Sequence, residues 1–191
     1  MTRKTATVPA EYFEEKYKAD IDPWNFKTSD YEREKYQATL RALTRSTYAN
    51  ALEVGCSIGI LTKLLSPRCV SLLAIDASAT AIAAAKSAND PNVTFRVTSL
   101  PSEFPADGPF DLIVLSEVLY YFDTADLVRV AQCCIDSISP GGEIVLCHWL
   151  GETDYPLTGH EASDLFAEHL RRAMPHRLIL HDEIYRLERL S

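Results

Sequence analysis

No stretch of this sequence contains the roughly 20 consecutive apolar residues that a membrane-spanning helix requires. An export signal is also missing, because Arg3 and Lys4 near the N-terminus have no apolar run behind them. Excess positive charge is missing too, since the formal net charge of −8 gives no long-range attraction to phosphate backbones or anionic lipid. We therefore predict a cytoplasmic protein whose partner is a small molecule, with no nucleic-acid or membrane partner.

Paired cysteines and metal-binding patterns are likewise missing from the sequence. The chain has five cysteines, an odd number, and none of them is in a C-x-x-C spacing. Their apolar surroundings are typical of ordinary buried thiols. The five histidines give no set with sensible ligand spacing, so no metal is predicted.

Apolar runs alternate with helical patterns from Ala49 onward, which predicts a mostly parallel sheet of the α/β, Rossmann-like class. The predicted strands are residues 49–54, 70–75, 93–97, 110–115 and 143–149, followed by an antiparallel hairpin of residues 176–180 and 184–190. The predicted helices are residues 60–65, 79–88, 125–139 and one around 165–170, with an earlier helix that begins after Ser29 and runs to about Leu43. We expect one domain, in which residues 1–48 form a lid and a helix and residues 49–191 form the core.

The segment Leu52-Glu53-Val54-Gly55-Cys56-Ser57-Ile58-Gly59 ends the first strand and opens a helix. Glycines there let the backbone turn tightly and approach a ligand that a Cβ would push away. The second strand ends in Asp76, whose carboxylate can accept both hydroxyls of a ribose. The pair predicts a nucleoside site, against the alternative of an ordinary strand-to-helix turn and a solvated carboxylate.

The residues of the same loop also indicate which nucleoside-containing cofactor the site would bind. A dinucleotide site needs its middle glycine so that the backbone can approach the pyrophosphate, and Ser57 holds that place here. Glu53 adds negative charge that repels a pyrophosphate but attracts a sulfonium and an ammonium group. The loop therefore favours S-adenosylmethionine (SAM) over a nicotinamide cofactor.

Successive motifs of the chain resemble those of class I SAM-dependent methyltransferases over residues 49–149. The motifs are E-V-G-C-S-I-G, L-L-A-I-D-A-S, F-D-L-I-V-L-S-E-V-L-Y-Y and S-P-G-G-E-I-V-L. More narrowly, D-P-W-N-F, Y-E-R-E-K-Y, the G-C-S-I-G loop, H-W and D-Y-P are similar to the nodulation protein S group. That group is represented by an N-methyltransferase that acts on a deacetylated amino sugar of a lipo-chitooligosaccharide.

The resemblance implies roles for residues at the ends of the strands. Gly55 and its neighbours, with Gly59 closing the loop, would hold the methionine moiety, Asp76 the ribose, and Ala77 would pack on the adenine. The segment Thr98-Ser99-Leu100 would flank the adenine edge through a backbone amide, with Ser99 where many relatives carry aspartate. Ser116 would end the fourth strand beside the transferable methyl group.

Two residues fall where open α/β sheets place their ligands, Glu117 after the fourth strand and His148 near the end of the fifth. An amine acceptor must lose a proton, so we assign both as candidate catalytic groups. The alternatives are a solvated loop carboxylate for Glu117 and a satisfied, partly buried histidine for His148.

The N-terminal region carries too many aromatic residues for a disordered tail, and we predict that it folds over the cofactor. Trp24 would cover the cofactor or shape the acceptor pocket, and Arg33 would meet the methionine carboxylate. The alternatives are packing on the sheet edge for the aromatics and a solvated position for Arg33. Four further aromatic residues lie where an acceptor would enter and could stack on a sugar or aromatic ring: Tyr120, Tyr121, Trp149 and Tyr155.

The leading hypothesis from the sequence is methyl transfer from SAM to a nitrogen of a small-molecule acceptor. An O-methyltransferase of a secondary metabolite, a nicotinamide-dependent reductase and a non-catalytic SAM-binding module remain as alternatives. Ser57 disfavours the reductase. The edge of the predicted hairpin suggests a monomer or a weak homodimer.

Overall fold

The computed structural model describes residues 3–88, 90–175, 177–181 and 184–191 of the chain. The strands are β1 (Tyr48–Val54), β2 (Cys69–Asp76), β3 (Val93–Val97), β4 (Phe110–Ser116), β5 (Ile138–Trp149), β6 (Arg177–His181) and β7 (Tyr185–Leu190). The α-helices are α1 (Ala10–Ala19), α2 (Asp30–Ala42), α3 (Ile60–Leu65), α4 (Ala79–Ala85), α5 (Thr124–Ser137) and α6 (Gly159–Leu170).

The strands form one sheet in the order β3-β2-β1-β4-β5-β7-β6. Strands β1 to β5 pair in parallel, whereas β7 pairs antiparallel with both β5 and β6. The predicted fold, a mostly parallel sheet with an antiparallel C-terminal hairpin, is therefore confirmed. The predicted first residue of that hairpin, His176, lies outside the described residues.

Both faces of the sheet are buried, which explains why its central strands are apolar along almost their whole length. Alternate residues of β1 show the division, because Leu52 and Val54 belong to the cluster under α5 and α6, whereas Ala51 belongs to the cluster under α2 and α3. Because successive side chains of a strand point to opposite faces, this one sheet contributes to two separate hydrophobic cores.

The largest boundary difference lies between α5 and β5. The sequence predicts a helix to residue 139 and a strand from residue 143, but α5 ends at Ser137 and β5 already begins at Ile138. Strand β5 then bulges, since its register with β4 shifts between the Phe110 and Leu112 pairs. Gly141, with a φ of 72°, provides the left-handed backbone at this irregularity.

Helix α1 is an element that the sequence analysis did not predict as a helix. The Glu14 carboxylate accepts hydrogen bonds from the hydroxyl groups of Ser78 and Thr80, 2.7 Å away in both cases. These bonds, with those from the Thr80 amide and Lys18, hold the pKa of Glu14 near 2. The first helix is thereby fixed to the start of α4, beside the end of β2.

In the ranges that the structure describes, no helix has the length and apolar character needed to cross a membrane. The same ranges contain no group of three or more His, Cys, Asp or Glu side chains arranged to hold a metal ion.

Candidate active site

A cavity of about 410 Å³ opens where the strand order reverses between β1 and β4. Parallel sheets bind ligands at this point because the loops after adjacent strands diverge there. Fifteen of the residues predicted from the sequence line the cavity: Trp24, Glu53, Gly55, Cys56, Ser57, Asp76, Ala77, Ser99, Leu100, Ser116, Glu117, Tyr120, Tyr121, Trp149 and Tyr155. Arg33, Gly59 and His148 are not among the lining residues.

The loop after β1 requires glycine at its first position. Gly55 has a φ of 75°, and a Cβ there would stand 2.2 Å from the Cγ1 atom of Val118. The amides of Gly55 and Cys56 both donate to the Ile75 carbonyl, at 2.8 and 2.9 Å, which ties the loop to β2. A bare backbone therefore forms this wall of the cavity. Gly59, with a φ of 82°, instead begins α3 behind it.

Asp76 organises the two loops that follow β1 and β2. Its Oδ2 atom accepts from the Ser57 amide at 2.9 Å, and Oδ1 accepts from the Ser78 amide at 2.8 Å. Burial raises the pKa of Asp76 to about 6, although these amide hydrogen bonds favour the charged form. Each carboxylate oxygen has a second lone pair, so the group can still accept from ligand hydroxyls.

Glu53 is the most deeply placed carboxylate of the cavity wall, with a side chain that is almost wholly buried. Its buried Oε2 atom makes no hydrogen bond of standard geometry to the described residues, although the Thr62 hydroxyl beside the carboxylate favours its charged form. Burial raises the pKa of Glu53 to about 8. A buried acceptor without a donor is costly in a protein, so this atom is prepared for a donor or a cation that enters the cavity.

The N-terminal segment forms one wall of the cavity through Phe13, Tyr17, Trp24 and Phe26. The Tyr17 hydroxyl donates to the Ser57 Oγ atom at 2.5 Å, a contact that the sequence analysis missed. The Trp24 ring packs against Tyr17 and Phe26, with centroid separations of 5.5 and 5.7 Å. These contacts place aromatic surface from the N-terminal segment directly beside the glycine loop.

Glu117 lines the cavity from the turn after β4, where it has an unusual backbone φ of 58°. Its Oε1 atom accepts from the Lys35 ammonium at 2.5 Å, and Oε2 accepts from the Tyr120 hydroxyl at 2.7 Å and the Trp149 amide at 2.9 Å. Burial opposes ionisation, but Lys35 and the Trp149 amide hold the pKa of Glu117 below its ordinary value. Glu117 is therefore a fixed carboxylate, not a solvated loop residue.

Lys35 and Glu32 belong to the same ionic group, and sequence reasoning overlooked both. Lys35 is 1% exposed, and its ammonium lies 2.9 Å from the Glu32 carboxylate. A signal for it exists in the sequence, because Lys35 shares a helix face with Ala38 and Ala42, three and seven positions later. A lysine on a buried helix face indicates a charged partner inside the fold.

The structure corrects the prediction that His148 is a catalytic group. The side chain is buried behind the cavity wall, and its Nε2 atom accepts from the Leu119 amide at 3.1 Å. Its Nδ1 atom faces the Ser163 hydroxyl at 3.5 Å. Burial lowers the pKa of His148 to about 4, despite the opposing charge of Glu117. His148 holds the turn after β4 as a neutral side chain, and the satisfied strand histidine is the correct alternative.

The depressed pKa of His148 makes stability depend on pH. The unfolded chain binds a proton near pH 6.5, whereas the folded protein binds it only near pH 4. Stability from this group is thus present above pH 6.5 and is lost as pH falls towards 4. Between pH 7 and pH 5 the wild type should lose about 2 kcal/mol more unfolding free energy than His148→Gln. Urea denaturation at both pH values measures it, and equal losses would contradict this account.

Arg33 differs from its predicted role. The Arg33 guanidinium is exposed on α2 and pairs with Asp30 at 2.6 Å, so it is not part of the cofactor site that we propose. The segment Thr98-Ser99-Leu100 lines the cavity as predicted. The Ser99 amide donates to the Glu103 carboxylate at 2.8 Å, and the buried Thr98 hydroxyl makes no hydrogen bond to the described residues.

Three tyrosines that line the cavity pack against one another. The Tyr120 and Tyr155 rings are stacked, with an interplanar angle of 5° and centroids 5.7 Å apart. Tyr121 meets Tyr155 edge-on at 4.5 Å, and Trp149 completes the wall with 37% of its surface exposed. This part of the cavity wall therefore offers aromatic faces of the kind that stack on sugar or aromatic rings.

Comparison with known proteins identifies relatives of this chain. The family model described as Nodulation protein S matches residues 9–147. Nodulation protein S of Rhizobium tropici is 37% identical over 127 residues, which cover 65% of this chain and 53% of that protein. The chain thus spans about half the length of this curated relative, a share of 53%.

Two solved structures are also similar. The N-methyltransferase NodS from Bradyrhizobium japonicum WM9, in complex with S-adenosyl-l-homocysteine, aligns with a TM-score of 0.81 and 25% identity over 96% of this chain and 98% of that chain. A putative methyltransferase from Pseudomonas syringae aligns with a TM-score of 0.71 and 37% identity over 84% of this chain and 98% of that chain. The family match, these relatives and the shared sheet agree, and the chain belongs to the nodulation protein S family.

Proposed function

We propose that this protein is a SAM-dependent methyltransferase that transfers a methyl group to a nitrogen of a small-molecule acceptor. The observation that carries the proposal is the buried, unpartnered Oε2 atom of Glu53, beside the bare Gly55 backbone in the same cavity as Asp76. An ammonium or sulfonium group stabilises the charged form of such a carboxyl group, whereas a pyrophosphate disfavours that form.

The cavity residues fit the parts of SAM in sequence order. Glu53 would accept from the ammonium of the methionine moiety, Asp76 from the two ribose hydroxyls, and Ala77 and Leu100 would flank the base. Thr98 would offer its hydroxyl at the adenine edge. When bound, SAM supplies an electrophilic methyl group, and the chain contributes binding, orientation and a negatively charged surrounding.

The N-terminal segment supports the proposal as a cover of the cofactor. Trp24 and Phe26 line the cavity, and Tyr17 reaches across to Ser57. Removal of water strengthens the electrostatic interactions inside a site and favours displacement at the methyl group. We assign residues 3–28 as a lid that completes the site.

An amine is the acceptor that best suits the charges of the cavity. Four carboxyl groups line it, and the Lys35 ammonium contacts two of them, Glu32 and Glu117. This excess of carboxylate attracts an ammonium group and would repel an anionic acceptor. The relative crystallised with S-adenosyl-l-homocysteine is itself named an N-methyltransferase. An amino sugar, as in a deacetylated lipo-chitooligosaccharide, also matches the tyrosine and tryptophan surfaces at the entrance.

Calorimetric titration of the protein with S-adenosylhomocysteine, beside NADH, tests the cofactor. We expect micromolar binding of the former and no heat from the latter, since Ser57 and Glu53 are unsuited to a pyrophosphate. Binding of NADH alone would overturn the proposal and establish a nicotinamide site instead.

Because of Glu53, we expect ligand binding to be coupled to the release of a proton. Its pKa of about 8 leaves it mostly protonated at pH 7 in the empty cavity, and a ligand ammonium beside it lowers that pKa. Binding of S-adenosylhomocysteine at pH 7 should therefore release close to one proton. Titrations in buffers of different ionisation enthalpy measure the release, which should vanish in Glu53→Gln and persist in the surface control Glu15→Gln. A wild-type heat that is independent of the buffer would contradict the assignment.

A further inference from the structure

Two cavity-lining carboxylates, Glu32 and Glu117, share the Lys35 ammonium at the acceptor end of the site. The ammonium lies 2.9 Å from Glu32 and 2.5 Å from Glu117. An amine that is methylated must give up a proton, so one of these carboxylates is suited to take it. The other contacts of Glu32 and Glu117 indicate which of the two carboxylates is better suited to take the proton.

Glu117 is poorly suited to accept a proton. It already receives three hydrogen bonds, from Lys35, the Tyr120 hydroxyl and the Trp149 amide. Although burial acts in the other direction, these surroundings keep the pKa of Glu117 below its ordinary value. A carboxylate that is held in its charged form by three donors is a weak base.

Glu32 has the opposite environment. Both of its carboxylate oxygens lie 2.9 Å from the Lys35 ammonium; Oε1 accepts a hydrogen bond from it, whereas the buried Oε2 atom makes no hydrogen bond of standard geometry in the described part of the chain. The Tyr36 hydroxyl is a second donor that favours the charged form. The side chain is only 7% exposed, and this burial raises the pKa of Glu32 in spite of the neighbouring Lys35. Glu32 therefore has fewer donors than Glu117, two against three, and a greater affinity for a proton.

We propose that Glu32 accepts the proton of the acceptor amine, and that Lys35 is a positioning residue that fixes Glu32 against Glu117. The proposal rests on the proposed function. The ammonium form of the acceptor gives its proton to Glu32. The freed nitrogen lone pair then forms a bond to the methyl carbon as the carbon–sulfur bond breaks, and that electron pair goes to sulfur.

In this cluster Glu32 is the carboxylate whose pKa burial raises, and the groups that face it keep their charge states. Tyr31, Lys35 and Tyr36 approach it from α2, Cys147 from β5, and Glu117 from the turn after β4. The pKa values of the two tyrosines, the cysteine and the lysine are raised above their ordinary range, so these groups keep their protons. Glu117 keeps its negative charge, since its pKa is lowered.

The test is the pH dependence of methyl transfer from SAM to glucosamine and a panel of simple primary amines, for wild type and Glu32→Gln. In the variant, kcat at neutral pH should fall by about 10²- to 10⁴-fold, the usual contribution of a general base. The wild-type rise of kcat on the acid side should disappear, and alkaline pH should restore activity through the free amine. Affinity for S-adenosylhomocysteine should stay unchanged, and Glu32→Asp should recover part of the rate.

Glu34→Gln, an exposed change on the same helix, is the matched control and should behave as wild type. Glu32→Gln with a wild-type rate and pH profile would overturn the proposal. A slow Glu32→Gln that keeps the acid-side rise would also overturn it, because a merely structural role gives that result. Wild-type protein that binds S-adenosylhomocysteine but methylates no amine would instead overturn the proposed function.

Discussion

Lys35→Met should lower the free energy of unfolding by about 3–5 kcal/mol, the usual cost of removing one member of a buried ionic group. Lys35 is 1% exposed and is the cation shared by Glu32 and Glu117. Methionine fills similar space but leaves two buried carboxylates that repel each other. Urea denaturation at pH 7 measures the difference.

Arg41→Met is the matched control, because Arg41 is exposed on the same helix, and it should change stability little. Lys35→Met should also cost much less in a protein that already carries Glu32→Gln and Glu117→Gln, since neutral amides do not need the ammonium. If Lys35→Met costs no more than the surface control, the buried ionic group does not hold α2 to the turn after β4.

Asp76→Ala should weaken binding of S-adenosylhomocysteine by roughly tenfold or more, which corresponds to at least about 1.4 kcal/mol. The variant removes the carboxylate that we propose accepts from the ribose hydroxyls, and it also releases the amides of Ser57 and Ser78. The released loop adds to the loss because Ser57 has a φ of 52° and relies on such contacts.

Calorimetry on a variant with a normal melting transition measures this effect. Asp136→Ala, an exposed change on α5, should bind as wild type. The affinity of the wild type should also fall below pH 6, because the pKa of Asp76 is about 6 and its protonated form is a poorer acceptor. Unchanged affinity in Asp76→Ala would remove the ribose assignment.

Local sequence patterns were enough to predict the fold and the part of the cavity that we assign to the cofactor. Apolar runs fix the strands, and parallel strands bring their C-terminal ends to one edge, so Gly55 and Asp76 lie together without further information. Glu53, which the sequence predicts as a cofactor residue, lines the cavity, and its raised pKa depends on burial that a sequence does not display.

The acceptor end depends on contacts between distant parts of the chain, which local patterns do not specify. Lys35 and Glu117 are 82 positions apart, and only the packing of α2 on the sheet joins them. His148 shares the strand end with Trp149, but strand alternation turns it away from the cavity and towards the Leu119 amide. Arg33 is on the solvent side of α2, paired with Asp30, since Lys35 and Tyr36 occupy the buried side.

The most direct test of the central claim is transfer of a labelled methyl group from SAM to an amine. Wild-type protein should move the label from SAM to nitrogen of a glucosamine-containing acceptor or another primary amine, and Asp76→Ala should do so at a much lower rate at limiting SAM. Protein that binds S-adenosylhomocysteine yet transfers no label to any amine would contradict the account and leave a SAM-binding module without this chemistry.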